Sequence, residues 1–495
     1  EGRGYVLRRI IRRAARHGKL IGIDRMFLCE LCDSVIAENK AGYPELVDKE
    51  QLIKKVISNE ESNFNKTIDQ GLNMLKDLTL EGGVLSGEDA FKLYDTYGFP
   101  LDLTKDILAE KNMTVDEEKF RELMEKQRQL ARSSRKSADA ESWKSDEISF
   151  ENIPSTVFCG YTENSSNAKI LDIVVEGEHT SCAADGIKAV IVLDKTPFYG
   201  EGGGQVGDTG VITADGAEFC VTDTKKTAGG VFTHFGTVKK GSFSLDDSVV
   251  ASINTERRNA IRRNHTAAHL LQAGLRSVLG THVEQAGQLV NENAVRFDFT
   301  HFSALTAEET KAVEKFVNDT VLSGITVENN EMLIAEARKL GAMALFGEKY
   351  GEVVRVVSVK DKSVELCGGT HIDNTAKIGL FKIISESSVA AGVRRIEAVT
   401  GYGVLKLADD YKHLAYETAE ILKCSAGDIA KRALQIGNEL RETKKQLEKT
   451  EAKLAAGKIN EIISTARDVG GIRVLSARLD GTPADELKKT AESIK

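Results

Sequence analysis

The stretch RRNHTAAHLLQA, residues 262–273, sets two histidines four residues apart in a segment rich in Ala and Leu. Such a segment predicts a helix, and side chains four positions apart lie one turn apart on the same helix face. His265 and His269 can therefore reach a common ion. The alternative is a pair of buried histidines whose ring nitrogens are satisfied by ordinary hydrogen bonds.

A second pair of metal-type residues occurs in VELCGGTHIDN, residues 364–374. Here a cysteine and a histidine flank two glycines, which suits a tight loop that folds a thiolate and an imidazole toward one point. An ordinary turn is the alternative. Because both pairs fall in one predicted domain, we expect four side chains to hold one zinc ion per chain: His265, His269, Cys367 and His371.

The sequence leaves the chemistry of this zinc site open. Zinc peptidases place a glutamate general base directly after the first histidine, whereas Thr266 stands at that position. Four protein ligands ordinarily close a zinc site, while hydrolysis needs a position open to water or substrate. Zinc could thus activate water or only organise a pocket. Thr266, Gln285 and Asp373 could position an ester or a water, or could be ordinary hydrogen-bonding residues.

Residues 1–403 divide by composition into three predicted domains. Residues 1–145 are rich in helix formers with apolar residues at helical spacing, which predicts an all-helical domain that ends in a Ser- and Arg-rich linker. Residues 150–250 hold short β-rich runs between Gly and Asp turns, typical of a small barrel or sandwich. Residues 251–403 alternate helices and strands, which predicts an α+β domain that contains both metal pairs.

The rest of the chain is predicted to be mainly helical. Residues 404–467 are nearly free of Gly and rich in Lys and Glu, and their apolar spacing fits an antiparallel helical hairpin as well as a dimeric coiled coil. We expect that a homodimer could form through this region. Residues 468–495 predict one strand and one helix, the start of a further α/β domain. The expected fold class is therefore a multidomain α and α+β protein.

Bulk composition narrows the classes of protein. The net charge of −8 excludes a globally basic nucleic-acid binder, so any RNA partner must meet local basic patches. No apolar run approaches the length needed to cross a bilayer, and the opening residues do not form a secretory signal. Seven scattered cysteines argue against a disulfide framework and favour reduced thiols. We therefore expect a cytoplasmic protein without a membrane partner.

Two arginine clusters are candidate basic patches. On a helix beginning near Tyr5, five arginines share one broad face: Arg8, Arg9, Arg12, Arg13 and Arg16. Another face holds the apolar residues Leu7, Ile10, Ile11 and Ala14. With no acid interleaved, this pattern predicts a helix that faces phosphate, and ordinary solvated charge is the alternative. The second cluster lies just upstream of His265 and could hold a polyanion while one end enters the metal site. It comprises Arg257, Arg258, Arg262 and Arg263.

The segment TPFYGEGGGQVGDTG, residues 196–210, is glycine-rich but follows one predicted strand and leads to another. A nucleotide-binding glycine loop would lead into a helix, so neither the dinucleotide-binding nor the P-loop type fits. A wide hairpin is the simplest interpretation. The alternative is a loop whose backbone approaches a ligand closely, with Gln205 and Asp208 as polar contacts.

Six motifs taken together resemble the alanyl-tRNA synthetases, in which they occur in the same order. They are RGYVLRRIIRRA (3–14), LYDTYGFPLDLT (93–104), TPFYGEGGGQVGDTG (196–210), NHTAAH (264–269), LCGGTH (366–371) and GVRRIEAVTG (392–401). The resemblance spans essentially the whole chain. It implies a helical tRNA-recognition domain, an editing domain and the start of the carboxy-terminal region, downstream of an aminoacylation core whose motifs, with their ATP and Mg²⁺, are not among these six.

The resemblance also implies roles for single residues. The zinc pattern of the family falls on the four ligands proposed above, and Gln285 matches an editing-site glutamine. Asp95 matches an acidic residue that recognises the G·U pair of the acceptor stem, while its partner Asn precedes the Glu-x-Arg-Gly-Tyr segment. Gly200 and Gly202 depart from the family, which more often has Ala and Ser at these positions.

The function implied by the resemblance is binding of tRNA(Ala) and hydrolysis of tRNA(Ala) mischarged with serine or glycine. Attachment of alanine to tRNA is the reaction of the parent enzyme. A hydroxyl-specific hydrogen bond from Thr266 or Gln285 would accept serine and disfavour alanine. Two alternatives remain: an RNA-binding module with a purely structural zinc, and a free-standing hydrolase of small esters that would leave the arginine helix without a purpose.

Overall fold

The computed structural model describes residues 3–77, 83–97, 99–110, 112–136, 149–150, 152–343, 351–390 and 392–476, and the single positions 478, 488 and 491. Within it the chain forms two compact units, Glu1–Gly403 and Val404–Lys495. The predicted linker near residue 145 and most of the predicted carboxy-terminal strand-and-helix segment lie outside the described residues. Among those residues, no helix has the length and apolarity needed to cross a membrane.

The amino-terminal part of the first unit is helical apart from one short parallel strand pair. Its helices pack around a core that includes Phe64 and Ile68, as their helical spacing predicted. The parallel pair, β1 with β2, joins two loops between helices and was not predicted. The elements are α1 (Arg3–Leu20), α2 (Leu28–Asn39), α3 (Glu45–Asp48), α4 (Glu50–Asp77), β1 (Val84–Leu85), α5 (Gly87–Tyr97), α6 (Leu101–Ala109), β2 (Thr114–Val115) and α7 (Glu117–Lys136).

The next part contains a β-barrel. The strands of this part are β3 (Val157–Phe158), β4 (Ser165–Val175), β5 (Glu178–Thr180), β6 (Cys182–Ala184), β7 (Lys188–Leu193), β8 (Lys195–Thr196), β9 (Gly210–Ala214), β10 (Ala217–Lys226), β11 (Phe232–Lys240), β12 (Ser242–Ser244) and β13 (Ser248–Ile253). The order β13-β9-β10-β11-β7-β4 closes because β13 also pairs with β4, which makes six strands. Inward residues such as Ile170 and Phe219 are fully buried. Of the two predicted forms, barrel and sandwich, the structure shows the barrel.

The third part of the first unit is an α+β assembly that holds both candidate metal pairs. Its elements are α8 (Thr255–Leu279), β14 (Gln285–Val290), β15 (Val295–Thr300), α9 (Ala307–Leu322), β16 (Val327–Leu333), α10 (Ile334–Lys339), β17 (Val353–Val359), β18 (Ser363–Leu366), a 3-10 turn (Thr375–Ile378), β19 (Phe381–Ala390) and β20 (Val393–Thr400). Two antiparallel sheets form, β14-β15-β20-β19 and β16-β17-β18. Together with the barrel and the helices, this confirms a mixed α and β architecture.

Helix α8 is the central element of this part. Asn254 caps its first turn by accepting a hydrogen bond from the Arg257 backbone N–H. Its residues from Asn264 to Leu275 are buried without interruption, so the helix is covered on all sides and not on one stripe. Its polar side chains in that run must therefore find partners inside the protein.

In its described part, the second unit contains two long helices and a small hairpin. The elements are α11 (Tyr402–Leu422), which begins at the end of the first unit, a 3-10 turn (Ala426–Asp428), α12 (Ile429–Ser464), β21 (Arg467–Val469) and β22 (Ile472–Val474). Leu434, Leu440 and Leu447 of α12 are exposed. Whether these helices form a hairpin or a dimeric coiled coil stays a prediction.

Candidate metal centre and adjoining cavity

The four predicted ligands meet at one point. Their ligand atoms all lie within 4.8 Å of one another, and among the described residues they form the one group able to hold a metal ion: His265, His269, Cys367 and His371. The Cys367 Sγ lies 3.5 Å from His265 Nε2 and 3.3 Å from His371 Nε2. Three imidazoles and one thiolate are a donor set that zinc uses in proteins.

Local geometry explains why the two halves of the centre meet. Helix α8 presents His265 and His269 on one face, while Cys367 directly follows β18 and begins the loop that carries His371. A Cβ at Gly369 would lie 2.1 Å from Cε1 of His265, so only glycine lets the loop backbone approach that ring. The Gly-Gly pair therefore serves close approach of the loop to the helix.

Hydrogen bonds behind the ligands fix the orientation of two imidazoles. The Nδ1 of His265 lies 2.7 Å from Gln205 Oε1, and the Nδ1 of His371 lies 3.1 Å from Thr266 Oγ1. With each Nδ1–H donating to these oxygens, each Nε2 keeps its lone pair for a metal. Gln205 also accepts from the Thr370 backbone N–H at 2.8 Å, which ties it to the metal loop.

Burial keeps these imidazoles neutral. It lowers the pKa of His269 to about 3 and the pKa values of His265 and His371 well below the ordinary value of histidine. A neutral imidazole is the form that binds a metal. Glu365 lies beside them, with Oε2 3.6 Å from His269 Nε2, and burial raises its pKa to about 8.

Two residues that sequence reasoning missed hold the metal loop from outside. The guanidinium of Arg355 donates to the carbonyls of Cys367 at 2.9 Å and of Gly369 at 2.7 Å. It also lies 4.1 Å from the ring centroid of Tyr161, whose hydroxyl donates to the Gly368 carbonyl at 2.7 Å. Neither residue stands in a metal-type motif, so the sequence carried no signal for this arrangement.

A cavity of about 570 Å³ adjoins the metal centre. One wall is polar and comes from α8 and β18, with His269, Gln272, Glu365 and Cys367. Aromatic residues of the barrel part form another part of the lining. The glycine-rich segment 200–203 and the start of β14 complete the lining. The arrangement can therefore hold a ligand that contacts both the candidate metal centre and aromatic rings.

The structure separates the two predicted substrate contacts, Thr266 and Gln285. Gln285 lines the cavity next to a β-bulge in β14, and its side chain has no hydrogen-bond partner in the described ranges. Thr266 is fully buried behind His371, where its hydroxyl donates to the Arg262 carbonyl at 2.9 Å and accepts from the Ile372 N–H at 3.3 Å. The Thr266 hydroxyl therefore supports a ligand and does not face the cavity.

The glycine-rich segment supports the metal centre through Gln205, which contacts His265 and the metal loop. Gln205 is fully buried between His265 and the metal loop, and Asp208 is buried in an ion pair with Arg258. The Nε of Arg258 donates to Asp208 at 2.8 Å. The interpretation of Gln205 and Asp208 as direct ligand contacts is thus wrong, because both carboxamide and carboxylate are already committed inside the protein. Gly200, Gly202 and Gly203 line the cavity, and a close approach of this backbone to a ligand stays a prediction.

The five arginines of α1 lie against acidic side chains of this chain. Their free, phosphate-facing orientation was inferred from α1 alone, whereas the acids come from α4 and α6. The ion pairs are Arg8 with Glu60, Arg9 with Asp102, Arg12 with Glu60, Arg13 with Asp106 and Arg16 with Glu110. Arg16 is buried, whereas Arg9 and Arg13 keep about half of their side chains exposed.

The predicted apolar face of α1 is divided between the surface and the core. Leu7 and Ile10 are each more than half exposed, whereas Ile11 is buried in the helical core with Ala14 packed against that core. The prediction of one apolar face separate from the arginines is therefore wrong in part. The acids at Glu60 and Asp102 explain which face turns inward, since they bind the arginines across α4 and α6.

The remaining predicted RNA contacts lie in different surroundings. Arg262 is half-buried with an NH2 3.4 Å from the Gly160 carbonyl, and burial lowers its pKa. Arg263 is also half-buried. Asp95 is exposed near the end of α5 and accepts a hydrogen bond from Gln127 at 2.6 Å. Their contacts with RNA stay predictions.

Two family models match this sequence. The model described as tRNA synthetases class II (A) matches residues 1–257, more than half of the chain. The model described as the threonyl and alanyl tRNA synthetase second additional domain matches residues 354–397. The second match contains Cys367 and His371, so the metal loop lies within it.

Curated relatives match the whole chain. The alanine–tRNA ligase of Acetivibrio thermocellus and that of Clostridioides difficile are each 47% identical over 100% of this chain. The alanine–tRNA ligase of Alkaliphilus oremlandii is 45% identical over the same share. The chain spans 57% of the length of each of these relatives.

Proposed function

This chain belongs to the alanyl-tRNA synthetase family, and from that premise we propose that its metal centre and cavity hydrolyse the ester of mischarged tRNA(Ala). Serine and glycine are the amino acids removed. For the longer protein that the relatives represent, we propose ATP-dependent attachment of alanine to tRNA(Ala). Both activities belong in the cytoplasm, where tRNA is charged and used.

The observation that carries the proposal is the convergence of four metal donors at the wall of a cavity. The donors lie within 4.8 Å of one another, and two of them, His269 and Cys367, line a space of about 570 Å³. A site that served folding alone would have no need of an adjoining cavity with polar groups such as Gln272 and Gln285.

The reaction is an ester hydrolysis in which water is the nucleophile. The water oxygen forms a bond to the carbonyl carbon, the bond from that carbon to the ribose oxygen breaks, and the ribose oxygen takes a proton. The products are the free amino acid and tRNA with its terminal hydroxyl restored. When zinc is bound, its positive charge stabilises negative charge that develops on the substrate.

The protein residues hold the metal ligands and the metal loop in position. Gln205 and Thr266 hold His265 and His371 so that their Nε2 atoms face one centre. Arg355 holds the loop backbone on either side of Gly368. Because four protein ligands fill a tetrahedral zinc site, we propose that zinc organises this pocket and does not activate water.

We propose that Gln285 provides the specificity for serine. Its amide lines the cavity without a protein partner in the described part of the chain, so it can bond the serine hydroxyl. Alanine would leave that amide unpaired and desolvated, which disfavours alanine relative to serine. This hydrogen bond does not act on glycine, which has no hydroxyl. We propose for Thr266 the different role of positioning His371.

We propose contacts with tRNA(Ala) at three places. On α1, Arg9 and Arg13 are exposed enough to reach phosphate, whereas Arg8, Arg12 and Arg16 hold the helix against α4 and α6. Near the cavity, Arg262 and Arg263 contact the acceptor end. The exposed carboxylate of Asp95 recognises the acceptor-stem pair.

A Cys367→Ala variant tests the enzymatic function against the alternative of an RNA-binding module with a structural zinc. The alternative has support in the four-ligand donor set, which can close a zinc site completely. We expect the variant to stay folded by circular dichroism, to bind tRNA(Ala) and to lose hydrolysis of Ser-tRNA(Ala). Global unfolding of the variant together with an inactive wild type would favour the structural zinc.

A further inference from the structure

The cavity beside the metal centre is larger than a serine ester requires. Its volume of about 570 Å³ lies within the range of roughly 300–1,000 Å³ that encloses whole small-molecule ligands. A seryl group placed against His269 and Cys367 fills only part of this volume, so the aromatic part of the lining is available for further contacts.

Four aromatic rings of the barrel part line the cavity, and we call them the aromatic wall. The ring of Phe158 lies parallel to that of Phe232, with centroids 5.5 Å apart and an interplanar angle of 2°. It meets Tyr161 edge-on at 4.9 Å and Tyr199 at 6.2 Å. All four rings line the cavity.

Part of this aromatic wall is open. Tyr199 and Phe232 are buried, but Phe158 is only half-buried and Tyr161 is 39% exposed. Ester hydrolysis at the polar wall does not use these rings. Partly open aromatic rings in a cavity can bind the π-face of a nucleobase, and such stacking does not depend on base sequence.

One cation among the described residues of the lining lies against this aromatic wall. Lys226 is exposed, lines the cavity and lies 5.4 Å from the Phe232 ring centroid. Its ammonium has no acidic partner among the described residues. Arg276, the other cation of the lining, already donates to the Val283 carbonyl at 2.8 Å.

The carboxylates of the lining confine where a phosphate can lie. They would repel an anion from the rest of the cavity, which leaves Lys226 as the place for it. These carboxylates are Glu201 and Glu284.

We propose that the aromatic wall is the subsite for the terminal nucleotide of the acceptor strand, with its base packed against Phe158 and its phosphate at Lys226. This inference rests on the proposed editing function and adds the part of the substrate that the cavity binds. Enclosing the nucleotide fixes the position of the ester relative to the metal centre. Because a free amino-acid ester has no nucleotide, this contact favours hydrolysis of an aminoacyl-RNA end over hydrolysis of such an ester.

Three substrates of the whole chain separate the parts of this subsite. Serine methyl ester has neither base nor phosphate, the seryl ester of adenosine adds the base, and Ser-tRNA(Ala) adds both. We expect Phe158→Leu to lower kcat/KM for the adenosine ester by about tenfold and to leave the methyl ester unchanged. Phe158→Tyr keeps the ring and should keep the wild-type ratio of kcat/KM for the adenosine ester to kcat/KM for the methyl ester. If Phe158→Leu leaves this ratio unchanged, the base contact is overturned.

Substitution of Lys226 tests the phosphate contact. Because Lys226 is exposed, we expect the variant to keep its fold. We expect Lys226→Ala to slow hydrolysis of Ser-tRNA(Ala) and to reduce the slope of log kcat/KM against log salt by about 0.7, without effect on the adenosine ester. Lys225→Ala is the matched control, because Lys225 stands over Phe235 and does not line the cavity. Equal effects of the two lysine variants would overturn the phosphate contact.

A measurement on the unmodified protein completes the test. Adenosine 5′-monophosphate should inhibit hydrolysis of Ser-tRNA(Ala) at a lower concentration than ribose 5-phosphate does. Equal inhibition by the two would contradict a base subsite while the editing function stands. A wild-type chain that hydrolyses no Ser-tRNA(Ala) would overturn the proposed function and this inference with it.

Discussion

At the scale of single residues, the centre depends on atoms that hold the ligands as much as on the ligands. The sequence identified all four ligands because their spacing is local: a helical repeat in α8 and a Gly-Gly loop after β18. It could not identify Gln205 or Arg355, which act on ligands far away in the chain. Contacts of that kind depend on tertiary folding and leave no local pattern.

Gly369 offers a sharp test of the close approach between the loop and α8. A Cβ there would meet the His265 ring at 2.1 Å, whereas a Cβ at Gly368 would meet no atom within 4 Å. We expect Gly369→Ala to lose most of its bound zinc because the loop must retreat from the helix. Gly368→Ala should keep its zinc. Metal content after gel filtration measures both, and equal retention would count against this geometry.

Thr266 and Gln285 should respond differently to substitution, because one supports a ligand and the other faces the cavity. Thr266→Val should weaken zinc binding by about 10–100-fold, as loss of a ligand's hydrogen-bond partner does elsewhere. Gln285→Ala should keep zinc and lower hydrolysis of Ser-tRNA(Ala) by about tenfold. Chelator competition and deacylation rates measure these effects.

Thr266→Ser restores the hydroxyl and serves as the control for Thr266→Val. Its zinc affinity should match that of the wild type. Should Thr266→Val instead keep its zinc but change the preference between serine and glycine, the Thr266 hydroxyl would contact substrate after all.

At the scale of elements, α1 shows what periodicity can and cannot decide. The helical repeat predicted an arginine face and a separate apolar face, whereas Ile11 of the predicted apolar face is buried together with Arg16. It does not say which face turns inward, since that depends on acids at Glu60 in α4 and Asp102, Asp106 and Glu110 in and after α6. Barrel and sandwich likewise share one strand pattern, and only the pairing of β13 with β4 closes the barrel.

Glu60 is the acid on which the packing of α1 depends most. It accepts from Arg8 at 3.1 Å and from Arg12 at 2.6 Å in a partly buried place. We expect Glu60→Gln to lower the free energy of unfolding by about 1–3 kcal/mol. Asp106→Asn, whose pair with Arg13 is exposed, should change it by less than about 1 kcal/mol. Urea denaturation followed by helical circular dichroism compares them, and equal losses would contradict the ranking.

The barrel should lose stability in mild acid because of His234. This ring is fully buried between Thr196 and the Ile191 carbonyl, and burial lowers its pKa to about 4. The unfolded chain binds a proton near pH 6.5 and the folded barrel does not, so stability is complete above pH 6.5 and falls toward pH 4. The expected loss from pH 7 to pH 5 is about 2 kcal/mol.

His234→Gln removes the titrating group and is the variant for this test. Its urea midpoint, followed by the β-sheet signal, should depend less on pH than that of the wild type over the same interval. A pH dependence as steep as that of the wild type would show that other groups cause the acid sensitivity.

At the scale of the whole molecule, the helical part, the barrel and the α+β part meet in one unit that presents the cavity. The metal centre takes its ligands from the α+β part, and its supporting groups Gln205 and Tyr161 come from the barrel part. The sequence motifs indicated the family and the ligands, but the joint construction of the cavity required the three-dimensional structure. The second unit adds two helices whose partner stays a prediction.

The central claim is that a zinc-organised cavity hydrolyses the mischarged ester. The most direct measurement combines the metal content of the purified chain with its hydrolysis of Ser-tRNA(Ala) and Ala-tRNA(Ala). The account predicts about one zinc per chain, as one four-ligand site requires, and faster hydrolysis of the seryl ester than of the alanyl ester. A fully zinc-loaded chain that leaves Ser-tRNA(Ala) at its spontaneous rate of hydrolysis would contradict it.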